Sequence, residues 1–66
     1  MEFRVETERE DDGRWIAEIV EIPGAMAYGD TKDSAIASAE AIALRVIADQ
    51  TESAKKPLQK AVAFVA

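Results

Sequence analysis

The chain has 66 residues, 48% of them hydrophobic and 32% charged, a balance that suits one small soluble domain and excludes a two-lobed enzyme, a disordered tail or a membrane span. Thirteen acidic against eight basic side chains leave a net charge of -5, which repels nucleic-acid phosphates and argues against direct nucleic-acid binding. The absence of histidine and cysteine removes the usual general base near neutral pH, the best thiol nucleophile, any disulfide and any structural zinc centre.

Phe3, Val5 and Thr7 alternate with Glu2, Arg4, Glu6 and Glu8, a period of two that predicts a strand with one buried and one wet face. Arg9 to Gly13 breaks the pattern, and Asp12-Gly13 is a dipeptide that tolerates the positive φ of a tight hairpin turn. From Arg14 to Val20 the chain returns, with Trp15, Ala17 and Ile19 on one side and Ile16, Glu18 and Val20 on the other. The second side is mostly apolar as well, so Ile16 and Val20 are candidate interface residues on a strand that needs cover from both directions.

Pro23-Gly24 fits the central positions of a type II turn, and Ala25 to Tyr28 follows as a short third strand. Gly29-Asp30-Thr31 closes it and opens a helix, with Thr31 as the predicted N-cap and Asp33 on the positive end of the dipole. Ser34 stands where a capping box wants Glu or Gln, so the reciprocal half of the box is expected to be missing. From Lys32 to about Gln50 the chain is alanine-rich and free of Gly and Pro, which predicts a stable helix. Its core face holds Ala35, Ile36, Ala39, Ile42, Ala43, Val46 and Ile47. The opposite side carries Ala37, Ala41, Leu44 and Ala48, a second candidate contact stripe or simply good helix formers. Thr51 to Pro57 reads as a loop, and Ala61 to Val65 as a last strand.

The predicted order is therefore β-β-β-α-β, an α+β domain with an antiparallel sheet and one helix packed on it, occupying residues 1–66 as a single unit. Without a disulfide or zinc, the remaining source of extra stability is burial against another chain, and a homo-oligomer is expected. The opening Met1-Glu2-Phe3-Arg4 is unlike a signal peptide, so the expected location is cytoplasmic.

Candidate chemistry is sparse. Glu8, Glu10, Asp11 and Asp12 lack the ligand spacing of a calcium loop, and a charged turn is well solvated without a cation. Asp30 and Asp33 are accounted for by the helix start, and Ser34, Ser38 and Ser53 have no histidine to activate them. Glu6, Glu18 and Glu40 are the carboxylates a metal-dependent nuclease would need to gather, although nothing in their spacing makes them converge. No catalytic residue, metal ligand or cofactor is assigned. Trp15 is expected in the core, while Tyr28, on a short strand near a turn, is the better candidate for a binding surface.

The run Gly-Arg-Trp-Ile-Ala-Glu-Ile from Gly13, Ile-Pro-Gly at Ile22 to Gly24, Tyr-Gly-Asp-Thr at Tyr28 to Thr31, and Ser-Ala-Ile-Ala-Ser-Ala-Glu-Ala-Ile from Ser34 resembles the HicB-like antitoxin family over most of the chain. The resemblance implies a pared-down RNase H-like fold whose structural marks here are Gly13, Pro23, Gly24, Gly29 and Thr31. It also implies a type II antitoxin module that neutralises a HicA-type toxin, a small basic protein that cleaves mRNA, by direct contact. Two features depart from the family pattern: Ala25 stands where a cysteine is common, and no C-terminal DNA-binding domain follows, so operator binding is not expected. The alternative is a stand-alone oligomeric binding module without a toxin partner.

Overall fold

The computed structural model describes residues 1–66. Four strands and one helix follow in the order β1 (Glu2–Arg9), β2 (Trp15–Ile19), β3 (Met26–Gly29), α1 (Lys32–Ala54) and β4 (Ala63–Val65), and the sheet order is β3-β2-β1-β4. The α+β class and the element order are those the hydrophobic periodicities predict. One correction concerns the sheet, which is mixed rather than antiparallel: β4 lies parallel to β1, with Phe3 opposite Phe64. The reason is directional. Two reversals bring β3 parallel to β1, α1 carries the chain back, and the next strand must run as β1 does when it joins the one free edge of β1.

The β1–β2 connection is a three-residue turn. The Gly13 N–H donates to the Glu10 carbonyl at 2.9 Å, the Glu10 N–H donates to the Arg14 carbonyl at 2.7 Å, and Gly13 alone takes positive φ, at 89°. This fixes the register, with Glu6 opposite Glu18 and Glu8 opposite Ile16. Pro23-Gly24 forms the predicted turn, with the Ala25 N–H donating to the Ile22 carbonyl at 3.1 Å and Gly24 at φ 84°.

At the start of α1 the Thr31 hydroxyl accepts from the Ser34 N–H at 3.0 Å, and the Ser34 hydroxyl oxygen accepts from the Thr31 N–H at 3.2 Å. The capping box therefore closes, contrary to expectation, because a serine hydroxyl at N3 replaces the longer Glu or Gln. The helix also runs past Gln50 to Ala54. Nothing from Thr51 to Ala54 is a helix breaker, and the Thr51 hydroxyl donates to the Ile47 carbonyl at 2.7 Å. Lys55 ends it in the left-handed region at φ 55°, just ahead of the residue that Pro57 bars from helical geometry.

The helix lies mainly over β2 and β3 and barely reaches β1. The core between them comprises Ala17, Ile19, Ile22, Ala25, Ala35, Ala39, Ala43 and Ile47, so five of its eight residues are alanines and Ile19 is the only large side chain with no exposure. Small residues let the helix approach closely. At Gly29 a Cβ would run into the Ser34 hydroxyl and come within 2.5 Å of the Ala35 nitrogen, which is why glycine ends β3. Twenty-three helical residues span about 35 Å, longer than the strands beneath, and the molecule is correspondingly elongated at 43 × 18 × 16 Å.

Candidate functional site

Alternation in β1 to β3 sends the odd-numbered side chains toward α1 and the even-numbered ones to the other side, where no element covers them. Two cross-strand rows result on this open face. Glu8, Ile16 and Tyr28 form one, and Glu6, Glu18 and Met26 form the other. Met26 is 45% exposed and Tyr28 51%, far more than Ala17 and Ile19 on the same strands' inner side, which are at 0%. The rows border a shallow depression of about 520 Å³.

Charge on this face is unbalanced. Glu6 and Glu18 are directly opposite each other, with Glu8 one pleat along, and no salt bridge is made by any of them. Like charges in facing cross-strand positions cost stability, so the sheet keeps a pair that its own fold does not need. Arg4, two residues before Glu6 on the same side of β1, is engaged with Glu21, and the Arg14 guanidinium lies 4.5 Å over the Tyr28 ring. The chain's one salt bridge is made by Arg4: its Nε donates to Glu21 Oε2 at 2.8 Å, and its backbone N–H donates to Glu21 Oε1 at 2.8 Å. Those bonds hold the Glu21 carboxyl below the usual carboxylate range and raise the Arg4 guanidinium further.

The sequence-predicted interface residues divide between two sides of the molecule. Ile16 and Val20 belong to the open face, Val20 continuing the ladder with its N–H donating to the Arg4 carbonyl at 3.0 Å. Ala37, Ala41, Leu44 and Ala48 lie on the side of α1 turned away from the sheet, where Leu44 is 47% exposed. No single surface contains all six. Gly13, Pro23, Gly24, Gly29 and Thr31 occupy the turns and the cap assigned to them. Trp15 packs half-buried against the core, with the Lys32 ammonium 5.9 Å from its ring centre.

Among the carboxylates, Glu6 and Glu18 come together where their spacing alone does not suggest it. Glu40 is on α1, across the sheet from both, and no three acidic side chains converge into a cation site. Asp12 serves the hairpin, its carboxylate accepting the Arg14 N–H at 3.0 Å. Sequence reasoning missed the acidic pair, and the signal that finds it is the loop count: a three-residue turn at Asp11–Gly13 forces Glu6 opposite Glu18. It also missed an apolar groove of about 460 Å³ between the C-terminal half of α1, Phe3 and the Ile22–Pro23 turn. No family model, no curated protein and no solved structure matches the chain.

Proposed function

We propose that this chain is a HicB-like antitoxin that neutralises a small basic HicA-type toxin by laying its open sheet face over the toxin's RNA-binding surface. The observation that carries the proposal is the Glu6–Glu18 pair, which makes no salt bridge, with Glu8 beside it, set among the half-buried Ile16 and the exposed Met26 and Tyr28. Carboxylates held on rigid strands offer a basic ribonuclease the kind of charge its RNA phosphates would, and the net charge of -5 steers the two chains together. Apolar side chains between the carboxylates then supply the contact area that fixes the complex, Tyr28 foremost because its ring is large and already oriented by Arg14. Neutralisation of this kind needs no reaction by this chain, and it takes place in the cytoplasm, where mRNA is. The pared-down RNase H-like identity of the fold belongs to the same proposal.

Co-expression with the product of the adjacent gene tests it. The expected result is co-purification of a small basic protein and rescue of growth from its toxicity. Growth arrest unrelieved by this chain, with no basic protein retained, would contradict it.

A further inference from the structure

The sheet ends on one side at β3, and the outer edge of that strand is unpaired. The Ile19 N–H donates to the Ala25 carbonyl at 2.8 Å, so Ala25, Ala27 and Gly29 turn their backbone groups toward β2, while Met26 and Tyr28 turn theirs outward. Of these outward groups only the Met26 N–H is used, donating to the Gly24 carbonyl at 3.0 Å. The Tyr28 N–H, the Tyr28 carbonyl and the Met26 carbonyl make no hydrogen bond within the chain.

A row of free donors and acceptors is a template for another strand, and soluble proteins ordinarily blunt it with charge, proline or a bulge. β3 has none of these: it consists of Met26, Ala27, Tyr28 and Gly29, its register with β2 is unbroken, and its two large side chains are exposed. At the opposite side of the sheet β4 covers Glu2 to Arg4, and the rest of β1 carries charge at Glu6, Glu8 and Arg9. Charge also limits what can pair with β3. Glu18 stands opposite Met26, one strand inboard, and Asp30 follows the end of β3. An added strand would lie about 10 Å from β2, a gap that a lysine or arginine reaching across Met26 closes against Glu18. At the other end Arg14 already lies over the Tyr28 ring, so the basic residue belongs beside Met26. A second copy of this chain would instead bring another net charge of -5, with its own Glu18 and Asp30, to the same seam.

We infer, on the function proposed above, that the free edge of β3 takes an extended basic segment of the partner protein as a fifth strand of the sheet. Main-chain bonds to Met26 and Tyr28 hold the segment, and a lysine or arginine beside Met26 meets Glu18. The partner then reaches the acidic face from this edge, with its backbone already in register with the sheet.

A capped peptide alternating lysine with valine is the probe, titrated into the full chain while backbone amide signals are followed. Saturable binding that weakens with salt is expected, with slowed hydrogen exchange at the Tyr28 N–H. The same peptide N-methylated along its pairing edge is expected to bind roughly tenfold more weakly, and a glutamate–valine peptide not at all. In the chain, Tyr28→Pro removes the outward N–H and spares the bonds to β2, so it is expected to bind the peptide roughly tenfold more weakly than Tyr28→Ala, which lacks the ring but keeps the donor. Should Tyr28→Pro fail to fold, the N-methylated peptide on wild type decides. Equal binding of the plain and N-methylated peptides, unchanged exchange at Tyr28, or no binding overturns the inference. So does a Tyr28 amide that is protected in the chain alone and exposed on dilution, which gives the edge to a second copy. A toxin silenced in a charge-dependent way while the Tyr28 amide still exchanges freely overturns the edge and leaves the proposed function standing. A peptide that pairs with β3 when co-expression retains no basic protein supports the edge and contradicts the proposed function.

Discussion

The two faces of the sheet are made from alternate residues of the same strands, and they differ in what they ask of their surroundings. On the helix side Ala17 and Ile19 are sealed, Phe3 and Phe64 stack with ring centres 5.8 Å apart, and no buried polar side-chain atom lacks a partner. On the other side Glu6 opposes Glu18 without a salt bridge, and Tyr28 and Met26 stand in solvent. Residues chosen for folding alone would not alternate satisfaction with frustration so regularly. A local cost retained on one face only is the mark of a surface shaped for something outside the chain.

Substitutions on each face break or sharpen this contrast. The largest effect is expected on the sealed side, where Ile19→Ala removes the one fully buried large side chain and costs about 3 kcal/mol of stability, read as a lower urea midpoint. On the open side Tyr28→Ala is expected to leave that midpoint within about 0.5 kcal/mol and, on the proposed function, to weaken binding of the proposed toxin by about 2 kcal/mol in a calorimetric titration. An equal loss of stability in the two variants would erase the distinction between the faces. At the start of α1, Thr31→Ala opens the capping box and lowers stability by about 1 kcal/mol, measured in the same unfolding assay.

The smallest effect comes from the exposed Arg4–Glu21 pair. Because Arg4 depresses the Glu21 carboxyl in the folded state, its contribution is present above the ordinary glutamate range and is lost as pH falls through the folded value. Glu21→Gln is therefore expected to melt slightly below wild type at neutral pH, with the gap closing as acid protonates the depressed Glu21 carboxyl. A gap that persists in acid would assign the effect to packing.

Much of the fold is legible in the residues themselves. The alternation of Phe3, Val5 and Thr7, the Pro23-Gly24 turn and the Thr31 cap each state a local geometry, and each appears where predicted. What escapes is whatever depends on distance. The end of α1 does, because Thr51 to Ala54 holds no helix breaker and the helix runs on to the left-handed Lys55 ahead of Pro57. So does the parallel placement of β4, which turns on the edge of β1 being free. Glu6 and Glu18, twelve positions apart, do not suggest each other until the turn between them is counted as three residues, and the groove is assembled from positions as far apart as Phe3, Ile22, Val46 and Leu58.

The most direct test of the open face reverses its charge. Glu6→Lys/Glu18→Lys removes the facing carboxylates and leaves every residue of the core in place. Titrated against the proposed basic toxin while RNA cleavage is followed, wild type is expected to silence the nuclease at stoichiometric amounts, less tightly as salt rises, whereas the double variant folds normally and leaves cleavage running. Equal inhibition by the two proteins, unaffected by salt, would contradict the account.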